Sequence, residues 1–318
     1  MQKILIICSA PRSGSSALLK RLNLHKKIAL VPEYDIPSVV KALNIPFQKY
    51  KFTSSKAWVK NVDRSDKYNQ KTKQFLDYIP HPNSAPSILK KIYETTFPKK
   101  ELEIIGEKYP RFWVLDLQSL MSNKFFETKL LFIFRNPVAV QLSYEHREKL
   151  RKKNLDIWSF NKPYEGIIHW LLGWHSYIHN FKHLHGSLGV KYEGLASAEF
   201  SNELNAFLQL ESNKKLKLNA SPCLDLGEIH PQQHTWWEFM SEIVEEWDLH
   251  DLNFLSEKYD LNYFRSRYWR VLLRNPKLIF VRGYLRLGFT LLLIKRVLIL
   301  EKIKHRYKFL SWTIRRVL

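Results

Sequence analysis

The chain has 318 residues, of which 45% are hydrophobic, enough to bury the core of one large α/β domain with an appendage. This composition excludes an intrinsically disordered chain. The net charge of +21 indicates an anionic partner, but residues 265–318 hold 15 Lys and Arg against the single acid Glu301, so +14 of that charge lies in the tail.

The apolar run at the N-terminus predicts a buried strand. Lys3 followed by five apolar residues loosely imitates a secretion signal, but the run is too short to span a membrane and ends at Pro11. Cys8 lies in this run and Cys223 lies far away, so the chain has no disulfide framework, as is typical of a reducing compartment. We therefore expect a cytoplasmic protein.

Short apolar runs alternate with helical patterns over much of the chain. This alternation is typical of βαβ units and predicts a three-layer α/β domain over residues 1–264, with a central parallel sheet of about five strands. Such sheets bind ligands at the carboxyl ends of their strands. Strands are predicted at 3–9, 28–32, 103–107, 130–135 and 188–192, and helices at 15–24, 37–42, 115–121, 137–153, 164–184 and 197–208.

Three segments depart from this pattern. Residues 45–100, rich in Lys, Asn and Ser, are interpreted as a partly helical insertion over the site, with a solvated excursion as the alternative. Residues 265–318 are basic and apolar and predict a helical C-terminal extension, packed on the domain or lying on an anionic membrane surface. His230 and His234 are separated by Pro231, so we expect no metal site there.

A strand, a turn and a helix follow one another in residues 8–19, whose sequence is CSAPRSGSSALL. Gly14 permits close backbone approach, and the first N–H groups of the helix point outward. Ser15 and Ser16 add hydroxyl donors, and Arg12 adds a charged fork. The segment predicts a P-loop-like cradle for a phosphate-like anion. An ordinary Ser/Gly turn that caps a helix is the alternative.

The cradle differs from the phosphate loop of nucleoside triphosphatases. If Gly14 is aligned with the second glycine of that motif, Ser9 stands at the first glycine and Ser15 at the lysine. The fourth predicted strand ends at Arg135, and no clear acid for Mg²⁺ follows it. A small-molecule kinase with a degenerate loop, dependent on ATP and Mg²⁺, is therefore the poorer hypothesis.

The sequence PRSGSS at residues 11–16 resembles the 5′-phosphosulfate-binding loop of the sulfotransferases that use 3′-phosphoadenylyl sulfate (PAPS). Members of this family usually have Pro, Lys or Arg, Ser, Gly, Thr and Thr, so two serines here replace threonines and keep both hydroxyls. The resemblance implies that this loop binds the donor nucleotide. The residues assigned to donor binding are Arg12, Ser13, Gly14, Ser15 and Ser16.

A second segment resembles the 3′-phosphate-binding motif of the same family. It comprises residues 129–137, KLLFIFRNP, and Ser143, eight residues after Arg135. An arginine fork and a hydroxyl can hold the additional 3′-phosphate that ATP lacks. Pro137 suits the first turn of the following helix. Arg135 and Ser143 are therefore predicted to bind the donor, although a surface salt bridge would be the ordinary expectation for Arg135 alone.

Two supporting matches occur in the order usual for the family. Residues 106–110, GEKYP, resemble its Glu-Lys-x-Pro segment, which implies that Lys108 contacts the donor or the acceptor; a solvated lysine is the alternative. Residues 190–195, VKYEGL, are similar to its Tyr-Glu-Asp-Leu segment, with glycine in place of the acid. Tyr192 is accordingly placed near the nucleotide, or else in the core. The matches extend over roughly two thirds of the chain.

The resemblance implies in-line transfer of a sulfuryl group from PAPS to a hydroxyl or amine, without a metal. Arg12 and Lys108 are assigned to the donor oxygens, where charge develops. The resemblance implies Glu33, directly after the second strand, as the general base, since a Glu in this region is the base in the branches of the family that act on carbohydrates or tyrosyl proteins. Another branch uses a His after the lysine of the third strand, and no His follows Lys108 here. A helix cap or an ion pair with a lysine is the alternative for Glu33, and His146 and Glu107 are weaker candidates for the base.

The sequence does not identify the acceptor. We favour a saccharide, with a lipid head group or a small metabolite as alternatives. A third class of function is a non-enzymatic protein that binds a membrane through the basic tail. No nucleic-acid-binding module is recognisable, so we expect no nucleic-acid partner.

Overall fold

The computed structural model describes four long segments of the chain and several short ones. The predicted helix at 37–42 beyond its first residue, most of the insertion at 45–100 and nearly all of the C-terminal extension lie outside the described residues, as do His230 and His234. The described residues are 2–33, 36–37, 89–90, 93–94, 97–98, 101–152, 165–210, 237–264 and 266–267.

Five strands form one parallel sheet in the order β2-β3-β1-β4-β5, so the predicted α/β class with a parallel sheet of about five strands is confirmed. The third strand extends three residues beyond its predicted end at 107, and the fourth begins four residues before its predicted start at 130. The strands are β1 (Gln2–Ser9), β2 (Ile28–Pro32), β3 (Ile104–Pro110), β4 (Phe126–Phe134) and β5 (Ser187–Lys191).

Helices follow the strands as the alternation predicts. The predicted helix at 115–121 is shorter than expected, because Asp116 caps it by accepting a hydrogen bond from the Ser119 N–H at 3.3 Å. No helix in the described part of the chain is both long and apolar enough to cross a membrane. The helices are α1 (Ser15–Leu22), α2 (Leu117–Met121), α3 (Pro137–Lys152), α4 (Glu165–Asn180), α5 (Ala198–Leu208), α6 (Trp237–Glu246) and α7 (Leu252–Lys258), with 3₁₀ turns at Phe112–Val114 and Tyr192–Ala196.

Two hydrophobic clusters cover the two faces of the sheet and produce the three layers. Side chains alternate along a strand, and in β1 Ile4 and Ile6 belong to one cluster while Leu5 and Ile7 belong to the other. The first cluster includes residues of α3, α4, α6 and α7, and the second includes residues of α1 and α5. Cys8 is fully buried in the first cluster, as its apolar setting predicts.

The C-terminal helices are anchored to the end of β4 by buried tryptophans. The Trp170 indole N–H donates to the Arg135 carbonyl oxygen at 2.8 Å. The Trp247 indole N–H donates to Glu193 Oε2 at 3.1 Å, and Glu193 Oε1 accepts from the Asn136 N–H at 3.1 Å. These bonds hold the residues after β4 in place from two sides.

Candidate active site at the carboxyl edge of the sheet

The loop between β1 and α1 folds tightly around the start of the helix. Arg12 and Gly14 both have left-handed backbones, with φ of 72° and 83°. Gly14 is the N-cap of α1, and no side chain caps the helix there. The first N–H groups of a helix have no partner within it, so those of α1 remain available to bind an anion.

Two serines of the loop are buried, and they are satisfied differently. The Ser15 hydroxyl accepts a hydrogen bond from the Ser9 hydroxyl at 2.8 Å. Ser13 is fully buried, and its Oγ has no hydrogen-bond partner among the described residues. Leaving a buried hydroxyl unpaired costs free energy, so this atom favours a ligand that can bond with it. Ser16, by contrast, is exposed.

The two predicted anion-binding segments meet in one cleft. Arg135 directly follows β4, next to β1, and its Nη1 donates to the Arg12 carbonyl oxygen at 3.4 Å. Arg12 Nε donates to Ser143 Oγ at 2.8 Å. Arg135 is only 8% exposed, which does not fit the ordinary surface salt bridge considered for it. The structure therefore brings Arg12, Arg135 and Ser143 together.

Tyr192 connects the loop to Arg135. The Arg135 guanidinium lies 4.8 Å from the centre of the Tyr192 ring, within the range of a cation–π contact. The other neighbour of the ring is Gly14, because a Cβ built on Gly14 would lie 2.1 Å from Tyr192 Cε2. Tyr192 is also part of the buried cluster on the α1 face, so it is both a core residue and a wall of the cleft.

Glu33 and Lys108 form an ion pair at the ends of β2 and β3. Lys108 Nζ lies 3.1 Å from Glu33 Oε1, and the Glu33 N–H donates to the Lys108 carbonyl oxygen at 2.8 Å. The Lys108 side chain is 9% exposed and that of Glu33 44%. The solvated-lysine alternative is therefore wrong, whereas the ion pair considered for Glu33 is observed. The contact with Lys108 is made through Oε1, and the Glu33 side chain remains exposed.

The two weaker candidates for the base are placed differently. Glu107 is fully buried, and its Oε1 accepts a hydrogen bond from the Ile36 N–H at 2.8 Å. This carboxylate therefore holds the chain after β2 inside the protein. His146 is exposed on α3.

Backbone strain is concentrated at the carboxyl edge of the sheet. Four non-glycine residues of the described chain have a positive φ, and three of them follow the adjacent strands β1, β2 and β3: Arg12, Glu33 and Arg111, with φ of 72°, 54° and 71°. The fourth, Gln209, ends α5. Such strain is typical of functional sites. Sequence reasoning missed Arg111, although its position directly after the strand-ending Pro110 was a usable signal.

A buried pair lies behind Ser143. The Tyr144 hydroxyl and His169 Nδ1 are 2.7 Å apart, and both residues are buried. Burial, with the positive charge of Arg111, lowers the pKa of His169 to about 3, and burial raises the pKa of Tyr144 well above its usual value. Both side chains are therefore neutral near pH 7. They give α3 and α4 a fixed polar contact beside the cleft.

The described residues include no group of three or more His, Cys, Asp or Glu side chains placed to hold a metal ion. The candidate site instead consists of cations, hydroxyls and helix N–H groups, all of which bind anions. These groups come from the loop after β1 and from the residues after β4, which contact each other. The Glu33–Lys108 pair adds a carboxylate at the neighbouring strand ends.

Comparison with known proteins gives matches among solved structures. No family model and no curated protein matches the chain. The sulfotransferase domain from the curacin biosynthetic pathway is 15% identical, with a TM-score of 0.41 over 86% of this chain and 97% of that chain. The sulfotransferase domain of the Synechococcus PCC 7002 olefin synthase is 16% identical, with a TM-score of 0.42 over 81% of this chain and 96% of that chain. The sulfotransferase from Alicyclobacillus acidocaldarius is 17% identical, with a TM-score of 0.42 over 80% of this chain and 99% of that chain.

Proposed function

We propose that the chain is a sulfotransferase that moves a sulfuryl group from PAPS to a hydroxyl or amine of an acceptor, with a saccharide as the favoured acceptor class. The observation that carries the proposal is the contact between the two anion-binding segments. Arg135 Nη1 lies 3.4 Å from the Arg12 carbonyl oxygen, and Arg12 Nε lies 2.8 Å from Ser143 Oγ. A donor with two separated anionic groups on one adenosine matches this arrangement.

The loop suits the phosphosulfate end of the donor. The uncapped N-terminus of α1 supplies N–H groups, Arg12 supplies a guanidinium, and Ser13 supplies a buried hydroxyl that needs a partner. Arg135 and Ser143 suit the 3′-phosphate. ATP carries a hydroxyl and no phosphate at the 3′ position, so these two residues would favour PAPS over ATP.

The proposed reaction is a direct displacement at sulfur. The bond between sulfur and the bridging oxygen of the donor breaks, and a bond forms between sulfur and the acceptor oxygen or nitrogen. The proton of the acceptor passes to the Glu33 carboxylate, whose Oε2 is not used by the ion pair with Lys108. Arg12, Lys108 and the N-terminus of α1 stabilise the charge that develops on the donor oxygens. This chemistry requires positioning and charge stabilisation rather than a covalent enzyme intermediate.

Donor selectivity tests the proposal most directly. The melting temperature of the protein is measured with adenosine 3′,5′-bisphosphate (PAP), with ATP and Mg²⁺, and without ligand. We expect PAP to stabilise the protein selectively and Arg135→Ala to abolish that stabilisation. Lys124→Ala, which removes a cation at the opposite edge of the sheet, just before β4, serves as the control. Stabilisation by ATP and Mg²⁺ but not by PAP would favour the kinase hypothesis instead.

The assignment of the base is tested separately. Glu33→Gln is expected to retain PAP affinity and to lower turnover by about two to four orders of magnitude. Because Lys108 contacts the same carboxylate, the amide can keep one hydrogen bond to it and limit structural change. Near-normal turnover of this variant would remove Glu33 as the base and leave the donor assignment standing.

The basic tail is proposed to bind an anionic membrane surface. Residues 265–318 carry a net charge of +14, which favours a peripheral contact with an anionic membrane surface at the cytoplasmic side. Deletion of residues 271–318 is expected to reduce sedimentation with vesicles that contain phosphatidylserine and to leave PAP binding intact. Unchanged sedimentation would exclude the tail as a membrane anchor.

A further inference from the structure

Arg111 lies between the candidate base and the anion cradle. It directly follows β3, and β3 lies between β2, which Glu33 follows, and β1, which leads to Arg12. Neighbouring strands are about 4.8 Å apart, so these strand ends lie side by side at one edge. The Arg111 N–H donates to the Ser9 carbonyl oxygen at 3.2 Å, which fixes its backbone beside the start of the loop.

The side chain of Arg111 is exposed, and it makes no hydrogen bond or ion pair with another described residue. Within the described chain it acts on the buried His169 and Tyr144 through its charge alone. Its backbone is nevertheless held at φ 71°, a conformation that costs a non-glycine residue free energy. A strained, exposed cation between the base and the cradle indicates a role in binding rather than in folding.

The surroundings of Arg111 are fixed and positively charged. Two residues further on, the Trp113 ring packs 5.6 Å from His169, which is bonded to Tyr144. The charges of Arg111, Arg12 and Arg147 all act on Tyr144. Arg147 lies one turn after Tyr144 on α3 and therefore on the same side of the helix.

One carboxylate acts against these cations. Glu165 Oε1 lies 3.8 Å from His169 Nε2, and its charge also acts on Tyr144. The charges that act on Tyr144 are therefore three guanidinium groups and one carboxylate. In the proposed function, Arg12 serves the phosphosulfate and Arg135 the 3′-phosphate, so no group of the donor is assigned to Arg111.

We propose that Arg111 binds an oxyanion on the acceptor, so that the acceptor already carries a carboxylate, phosphate or sulfate before sulfuryl transfer. This inference rests on the proposed sulfotransferase function and specifies its acceptor. A guanidinium pairs with such groups through two parallel hydrogen bonds. Because Glu33 and Arg111 follow neighbouring strands, an acceptor anchored by Arg111 can present its hydroxyl or amine to the base.

The first experiment separates the acceptor from the donor. PAP affinity is measured by calorimetry for the unsubstituted chain, for Arg111→Gln and for Lys124→Gln, which removes the same charge at the opposite edge of the sheet. We expect all three affinities to agree within about twofold. A loss of about tenfold or more for Arg111→Gln alone would assign Arg111 to the donor and overturn the inference. Failure of the unsubstituted chain to bind PAP would remove the proposed function itself, and this inference with it.

The second experiment identifies the charge of the acceptor. A cell extract is divided by anion exchange into retained and unretained fractions, and each is incubated with ³⁵S-labelled PAPS and the unsubstituted chain. Transfer is expected in the retained fraction, with a KM for that fraction about ten- to a hundredfold higher in Arg111→Gln and unchanged in Lys124→Gln. Transfer confined to the unretained fraction would overturn the inference while supporting the sulfotransferase activity.

The source of the oxyanion is resolved in the same assay. Before anion exchange, the extract is partitioned between water and organic solvent. An acidic saccharide carries the label into the aqueous phase, and an anionic lipid head group carries it into the organic phase. We expect the aqueous phase, because a saccharide is the favoured acceptor class.

Discussion

Substitution of Gly14 by alanine tests the contact that joins the loop to the second anion site. A Cβ at this position would lie 2.1 Å from Tyr192 Cε2 and 2.3 Å from Cδ2, far inside normal contact distance. The φ of 83° adds a second penalty, because a left-handed backbone costs a residue with a Cβ about 1–2 kcal/mol. Overpacking of a buried site costs about 1–3 kcal/mol. Together these effects predict a loss of about 2–5 kcal/mol in the free energy of unfolding.

The same substitution is expected to weaken donor binding. To relieve the overlap, the Tyr192 ring must leave its place against Arg135, from which it is 4.8 Å away. Urea denaturation measures the stability loss, and calorimetry with PAP measures the affinity. Gly194→Ala is the matched control, since nothing lies within 4 Å of a Cβ at position 194, and a change within about 0.5 kcal/mol is expected.

A double-mutant cycle separates the two penalties. In a Tyr192→Ala background the overlap is absent, so Gly14→Ala should then cost only the backbone term of about 1–2 kcal/mol. An equal cost of Gly14→Ala in both backgrounds would refute the role of the Tyr192 contact. An unchanged stability of Gly14→Ala itself would refute both parts of the reasoning.

Three further predictions concern buried groups. Burial lowers the pKa of His169 from an ordinary value near 6.5 to about 3. Between these values the unfolded chain binds more protons than the folded one, so the free energy of unfolding decreases as the pH is lowered, by about 2 kcal/mol from pH 7 to pH 5. Parallel pH profiles of the unfolding free energy for His169→Gln and the unsubstituted chain would contradict this. Ser13→Ala removes a buried hydroxyl that has no partner among the described residues, so it should raise the free energy of unfolding by about 1 kcal/mol. It should also weaken PAP binding about tenfold. Unchanged PAP affinity would show that this hydroxyl does not bind the donor. Glu193→Ala leaves the buried Trp247 N–H unpaired, so urea denaturation should show a loss of about 1–3 kcal/mol in the free energy of unfolding. Substitution of the exposed Glu203 by alanine is the control and should change it little. Equal losses for the two variants would exclude the hydrogen bond to the indole as the cause.

Local patterns in the sequence were sufficient to predict the elements of the sheet. Each strand is a short apolar run between breakers, and burial on both faces gives such runs no polar alternation. The β2 prediction matches at both ends. The prediction for β3 ended too early, at Glu107, before the second charged residue of the strand, Lys108. Both are buried in the structure, one bonded to the Ile36 N–H and the other paired with Glu33.

The sequence by itself determined the tight loop between β1 and α1 and the arginine at the end of β4, because each depends on neighbours within a few residues. Only the tertiary structure decided which of these groups meet. The order of the strands places β4 beside β1, so Arg135 and Ser143 reach Arg12 across more than a hundred residues of chain. It also places β3 between β2 and β1, so that Glu33, Arg111 and Arg12 follow three adjacent strands. Such neighbours are set by the pairing of whole strands and leave no local pattern in the sequence.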